Sequence, residues 1–585
     1  MDICDNSSGR RSMEHAVRSA FRSVKRPPWP AAVLVVLTIF IGAGLASGQA
    51  LPSGQAFSVW VSPRLARVGQ TDAPGTTTTI NLYSARGETV ATQVIVQAPS
   101  GGLTNVNVSA SALTGPNGAT IAASNITLYR EYYITVTRTQ GVPQGGSNQP
   151  EGSGTTGTYA EPLIPFNDPQ SPGMSLCGTS ASLKACNATV SAGQNQPYWI
   201  DFFVPPGATN SPAGSYTGII SITSDQGSAT IPVTLTVWNF ELPLQPSEGS
   251  LGSLFAPASG STDNDIKNLA QALMRNKLMY WSDVPGDAAW DTATFGLIRS
   301  GLEYYQNFSI PCDETQTQQQ MQNIPSTSQI NAWAATYPAS LPLDIHVSDE
   351  SGESSSCTTY AYQDVTTTAS NAHMASPYVE TIVTAYAPDP NLSGYVDHWV
   401  LLDSHESWPS LPWTGPGDLS SYVSCNLGNG NTPEWEVDYP PINERIQAGF
   451  LNYTEQAVGI LYYRADGWTA GNTIDSWNHV DTTSCGGGLA RPGDGIFLYP
   501  PAPIGSTESA PGIRLKSIRD GIQDFEYAHM LHNLGQDAFV NSTLQSLAGP
   551  QPIAFSWTNW KHDDNGAAVE NARLQMGQKL DQLGP

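Results

Sequence analysis

Positive charge is scarce in this chain: 25 Lys and Arg stand against 50 Asp and Glu among 585 residues, a formal net charge of -25. A nucleic-acid binder displaces counterions from phosphates with a basic surface, so that class is excluded, as is adsorption of the mature body onto anionic lipid. Cysteine is scarce too. The seven cysteines include no C-x-x-C pair, which leaves a structural zinc site without its usual ligand spacing. Also missing are G-x-S-x-G, H-E-x-x-H and a P-loop. Gly152-Ser-Gly154-Thr-Thr-Gly157 has the spacing of a dinucleotide loop, but it precedes Tyr159-Ala-Glu-Pro162 instead of opening a helix, and the reading is rejected. Neither a cofactor nor a metal is expected. His529 and His532 lie three apart on a helix, but no third His or Cys stands near them in the sequence, and surface or packing roles are the ordinary reading.

What the chain has in quantity is aromatic rings, with 15 Trp, 23 Tyr and 15 Phe, and turn formers, with 54 Gly and 44 Pro. That profile is globular and strand-rich. Many rings with little charge suit a neutral, flat, hydroxylated partner, and carbohydrate is the expected one. At the N-terminus Arg10, Arg11, Arg18, Arg22, Lys25 and Arg26 precede an uncharged apolar run, Ala31 to Leu45, and then the small residues Ala46, Ser47, Gly48 and Ala50. This pattern reads as a signal peptide. At 1.5 Å per residue the run spans roughly 22 Å, short of a ~30 Å hydrocarbon core, so an uncleaved anchor is the alternative reading and the only expected membrane contact. The expected location is exported: periplasmic, extracellular or cell-surface. Six cysteines follow the apolar run, and neighbourhood along the chain suggests the disulfides Cys177 with Cys186, Cys312 with Cys357, and Cys425 with Cys485.

Residues 1–50 are therefore set aside as signal peptide or anchor. From 51 to 245 short β-rich runs such as Phe57 to Val61, Val90 to Gln97, Ile126 to Thr137, Trp199 to Val204, Gly214 to Thr223 and Ala229 to Trp238 are separated by turn signals, which predicts an antiparallel β-sandwich. After Pro243-Leu-Gln-Pro246 strands and helices alternate. Helices are expected near Asp263 to Arg275, Phe295 to Tyr305, Thr315 to Ala335, Ala372 to Tyr386, Pro441 to Thr454, Ile513 to Leu534 and Gly566 to Leu583. Strands are expected at Ser250 to Phe255, Leu278 to Trp281, Phe308 to Ile310, Leu343 to Val347, Val396 to Leu402, Gly459 to Tyr463 and Ile496 to Leu498. This alternation over 246–585 predicts a (β/α)8 barrel, with fewer than eight clean strands visible.

Barrel enzymes place their chemistry at the C-terminal ends of strands. Leu343-Asp-Ile-His-Val-Ser-Asp349-Glu350 carries two adjacent carboxylates where an apolar strand gives way to Ser351-Gly352. Paired carboxylates there suit acid/base work on a glycosidic bond, although a bare Asp-Glu pair is more often a solvated loop. Aromatic platforms are expected to bind the sugar, and Trp399, Tyr463, Trp468 and Trp477, with Asp466, lie at or just after expected strands; core packing is the ordinary role of each ring. In the helix from Ile513, apolar residues at 515, 518, 522 and 525 bury one face. Gly521 in its middle implies close approach by another element, and a structural role is expected for Arg519 and Asp520.

That helix carries a family resemblance. Arg514-Leu515 with Ile518-Arg-Asp-Gly-Ile-Gln-Asp-Phe-Glu-Tyr527 resembles the signature of domain of unknown function 4091, related to glycoside hydrolase family 123. Gly493-Asp-Gly-Ile-Phe-Leu-Tyr-Pro500 and Pro440-Pro441 with Glu444-Arg445 are similar to the same family, and Ala85-Arg-Gly-Glu88, Pro212 to Gly218 and Val237 to Pro243 to its N-terminal sandwich. The resemblance implies a sandwich followed by a barrel that hydrolyses a terminal N-acetyl-β-galactosaminide by substrate assistance. Asp349 would hold the substrate's 2-acetamido group and Glu350 would serve as acid and then base. Ser351 stands where the family usually has Pro, and Ser420-Ser421 where an aromatic cluster is expected. The alternative is a carbohydrate-binding or cell-surface protein that keeps the scaffold without catalysis.

Overall fold

The computed structural model describes residues 56–137, 155–253, 263–281, 324–335, 343–348, 362–385, 387–402, 413, 415, 417–423, 433–468, 475–480, 491–548, 560 and 566–585. The chain opens with strands β1 (Ser58–Ser62), β2 (Ile80–Arg86), β3 (Thr89–Gln97), β4 (Leu103–Ala110), β5 (Ile126–Val136), β6 (Gly157–Pro165), β7 (Ala188–Val190), β8 (Asn195–Phe203), β9 (Gly214–Ser224) and β10 (Gly227–Glu241). They form two sheets, β1-β3-β8-β5-β6 and β7-β4-β9-β10-β2. Period-two patterning decides which face is inside. On β9, Tyr216, Ile220 and Ile222 are fully buried, and on β10 so are Ile231, Val233 and Leu235. These meet Val94, Val96, Ile200 and Phe202 of the facing sheet in one core. Each such side chain contributes about 1.5–3 kcal/mol. The expected sandwich is present with one departure: β2 runs parallel to β10, with Ile80 opposite Val233 and Tyr83 opposite Thr236. One expected disulfide, Cys177–Cys186, lies in this region with its Cα atoms 5.7 Å apart. The other four cysteines that follow the apolar run fall outside the described residues.

The second region is built on strands β11 (Gly249–Ser253), β12 (Met279–Trp281), β13 (Asp344–Ser348), β14 (Glu380–Ala385), β15 (His398–Leu402), β16 (Asp418–Val423) and β17 (Gly459–Tyr462). All pairings are parallel, in the order β12-β11-β17-β16-β15-β14-β13. The helices are α1 (Asp263–Met274), α2 (Thr327–Ala334), α3 (Tyr362–His373), α4 (Ile442–Ile446), α5 (Ile513–Asn533), α6 (Asp537–Ala548) and α7 (Ala567–Leu583). A closed (β/α)8 barrel is not shown by these elements. Two helix expectations are corrected. Residues 380–385 form β14, because Thr381-Ile-Val-Thr-Ala is a β-branched run that fits a sheet buried on both faces. The helix expected through Thr315 to Ala335 cannot be continuous, since Pro325 disfavours a helical residue before it and Ser326 caps a new start, its side chain and that of Gln329 forming a capping box.

Helix α5 joins the two regions. Its periodicity suggested one buried face, yet it is buried on every side from Ile513 to Ala528. Its polar side chains are paired across the seam. Lys516 and Arg519 each reach Asp201 of β8 at 2.9 Å. The amide of Gln523 makes both backbone hydrogen bonds of Thr89, at 2.9 and 3.0 Å. The Tyr527 hydroxyl donates to Glu88 at 2.7 Å, and Ser247 donates through its backbone N–H and its hydroxyl to Glu526. Burial pushes the Asp201 carboxyl up, but Arg519 and Lys516 overcome this and hold it at about 2. On the helix's other side Asp524 accepts two bonds from Arg445 of α4, at 2.7 and 3.1 Å. Gly521 is there for proximity: a Cβ would lie 2.5 Å from the Arg445 carbonyl oxygen, and one on Gly449, in the π-helical turn Gln447–Leu451 that continues α4, would lie 2.7 Å from the Gly521 oxygen. The structural role expected for Arg519 and Asp520 matches this geometry.

Candidate active site

All seven strands run the same way, so their C-terminal ends share one edge of the sheet. Strand β13 ends at Ser348, one residue before Asp349. Asp349 and Glu350 themselves lie outside the described residues. Along β13, Ile345 and Val347 pack with Ile330 of α2 and Val365 of α3, so strand alternation gives Asp344 and His346 to the opposite face. There His346 Nε2 meets Thr384 Oγ1 of β14 at 2.8 Å, and His398 Nε2 meets Ser420 Oγ of β16 at 2.7 Å. Burial lowers His398 to about 4, so it is a neutral hydrogen-bonding group at ordinary pH.

The best-defined strand end belongs to β17. The Tyr462 hydroxyl donates to Asp494 Oδ1 at 2.8 Å, and that of Tyr463 to Oδ2 at 3.2 Å. Gly493 and Gly495 flank Asp494 with φ of 78° and 74°, the left-handed region that only glycine enters without strain, and the Gly495 N–H donates to the Tyr462 oxygen at 3.0 Å. Burial, then the Asp494 charge, raises both phenols, which therefore stay protonated as donors. Beside them Arg491 bonds Glu436 at 2.9 Å and Glu434 at 3.3 Å, all three buried, and Trp435 stacks on Tyr462 with centroids 5.3 Å apart. The result is a rim of rings and fixed polar groups. Among the described residues no group of three His, Cys, Asp or Glu is arranged to hold a metal.

Tyr463 and Trp468 share this strand end, Trp468 donating its indole N–H to the Leu498 carbonyl at 2.9 Å, and Asp466 lies fully buried between them near Arg464. Trp399 is not with them: it is 1% exposed in the layer between β15 and the helices. Trp477 is packed against the sandwich, edge-on to Tyr132, with its N–H on the Pro500 carbonyl. Glu434, Glu436, Arg491 and Asp494 were not singled out from sequence, because charged residues in Gly- and Pro-rich turns ordinarily signal exposed loops. A separate cavity of about 770 Å³ between the sandwich and the end of α1, lined by Thr89, Thr127, Phe166, Lys277 and Arg519, lies away from these strand ends. Its cations serve the fold, Lys277 donating to the Pro243 and Leu244 carbonyls and Arg519 pairing with Asp201.

Comparison with known proteins fits this architecture. Residues 66–224 match the glycoside hydrolase 123 N-terminal domain. Among solved structures, a family 123 glycoside hydrolase from Clostridium perfringens, studied for glycolipid glycan hydrolysis, superposes with a TM-score of 0.61 at 14% identity, over 90% of this chain and 98% of that one. A β-glucuronidase from Bacteroides uniformis gives a TM-score of 0.28 at 8% identity, over 80% of this chain and 52% of that one. None of the curated proteins matches. Residues 66–224 thus resemble a glycoside hydrolase 123 N-terminal domain, and the chain shares the fold of a family 123 glycoside hydrolase.

Proposed function

We propose that the chain is an exported glycoside hydrolase that removes terminal 2-acetamido-hexosides, N-acetyl-β-galactosaminide-like, by substrate-assisted retaining hydrolysis. The observation that supports the reading is the end of β13 at Ser348, on the edge where parallel-sheet enzymes do chemistry, with Asp349 and Glu350 next in the sequence, in a fold shared with a family 123 enzyme. The strand order supports a (β/α)8 barrel over 246–585: it is that of a closed barrel lacking one strand between β12 and β13, and 282–323, where Phe308 to Ile310 reads as a strand, is the stretch that would supply it. The sandwich would then occupy 51–245.

In the mechanism, Asp349 stays ionised and orients the substrate's 2-acetamido group, whose oxygen attacks the anomeric carbon as the glycosidic bond breaks. Glu350 gives its proton to the leaving oxygen, then takes one from the water that opens the cyclic intermediate. The charge of Asp349 raises the pKa of its neighbour and keeps it protonated for the first step. Tyr463 and Trp468, at the end of β17, would form the sugar-binding wall, with the buried Asp466 supporting it from within. Neither a metal nor a cofactor is required.

A panel of aryl N-acetylgalactosaminide, N-acetylglucosaminide, galactoside and glucoside tests this. Turnover should need the acetamido group. Glu350→Gln should lose about 10²- to 10⁴-fold in rate, and less with leaving groups that need no proton. Equal turnover of plain hexosides would refute substrate assistance, and no turnover at all would favour a carbohydrate-binding protein without catalysis.

A further inference from the structure

The seam between the sandwich and the parallel-sheet region contains more carboxylates than cations can serve. Glu161 of β6 takes 2.8 Å from Arg514 Nε of α5 and 3.1 Å from Arg67 Nη2, so it is fully paired. Two other carboxyls approach the same group of charges. Glu131, on β5 of the sandwich, and Glu444, on α4 of the other region, are both 0% exposed. Neither oxygen of Glu131 has a hydrogen-bond partner, and the Glu444 carboxyl has only its own backbone N–H nearby. Arg514 is already spent on Glu161 and on the carbonyls of Trp435, Gly493 and Ile496. Arg67 is divided between Glu161 and the Ala160 carbonyl.

A buried carboxylate without a partner is far costlier than a buried neutral acid, so the group keeps its proton. We infer that Glu131 and Glu444 are carried as neutral acids on either side of the seam, making it a proton-dependent clasp that weakens as rising pH strips them. The charged and titratable groups facing them are Arg67, Glu161, Arg514 and, more distantly, Tyr133 beside Glu131; Tyr133 donates its hydroxyl to the Val68 carbonyl and stays protonated. With both acids neutral, Arg67, Arg514 and Glu161 leave one net positive charge. With both ionised the cluster carries one net negative charge inside a low-dielectric seam.

The direction of the pH dependence follows. Burial, outweighing the attraction of Arg67 for Glu131 and of Arg514 for Glu444, raises each carboxyl from 4.5 to about 8. Between those values the folded chain holds two protons that the unfolded chain has released, so stability falls as pH rises through this window and is level above it. The device would suit a protein working in acidic surroundings.

The test is thermal unfolding of the full chain at pH 5, 7 and 9, for wild type and for the double variant Glu131→Gln with Glu444→Gln, which mimics the protonated form. The melting temperatures should nearly coincide at pH 5 and separate in favour of the variant by at least ~3 °C at pH 9. A constant offset at every pH, or an equal fall in both proteins, would overturn the inference. Should the double variant fail to fold, infrared difference spectra between pH 6 and 9 of the wild type and of each single Gln variant decide independently: a loss of protonated-carboxyl absorption that is smaller in each single variant supports the clasp, and an equal loss in all three removes it.

Discussion

The sandwich core and the seam are both buried, yet they are held by opposite chemistry. In the sandwich, Val94, Ile200, Ile220 and Ile231 meet across two sheets and no polar group must be matched. In the seam Arg514, Arg519 and Arg573 are buried too, each against a carboxylate, and behind it Arg445 is buried against Asp524. An apolar core tolerates change in proportion to the volume lost. A charged seam is all-or-none, because removing one partner strands the other.

The largest effect should come from Arg445→Leu, which leaves Asp524 facing α4 without its two hydrogen bonds; about 3–5 kcal/mol should be lost in urea unfolding. Adding Asp524→Leu should restore much of that, and a double variant no better than the single would show that the pair does more than cancel charge. In the sandwich, Ile220→Ala should cost about 2–4 kcal/mol with no such rescue by a second site. Gly521→Ala should cost about 1–3 kcal/mol, since the obstacle at 2.5 Å is the Arg445 backbone and cannot rotate away; an effect under ~0.5 kcal/mol would mean that the two helices separate easily.

The same contrast decides what could be read from sequence. Sandwich strands were legible because alternation is local: Gly214 to Thr223 and the following Ala229 to Trp238 lie within the observed β9 and β10. The parallel pairing of β2 with β10 left no local trace, since it joins residues far apart in the chain. Strand β14 was taken for part of a helix and β16 was missed, because short buried parallel strands lack alternation. At the candidate site Tyr463, Asp466 and Trp468 were legible as polar and aromatic residues just past a strand. Trp399 shows the limit of that reasoning: a ring one position inside the strand turns to the helix side. Asp494 stood inside a segment that carried only the family resemblance, and its place against two phenols, set by its flanking glycines, emerges only in the fold.

Modularity is where helix α5 has its widest consequence. Domains are often treated as exchangeable parts, and the two sheets here invite that treatment. A sandwich excised for fusion elsewhere would carry Glu88, Glu161 and Asp201 on its cut face, each evolved to meet a cation supplied from beyond residue 500. A graft would succeed only by importing α5 and α7 with it, or by rewriting those acids as neutral residues.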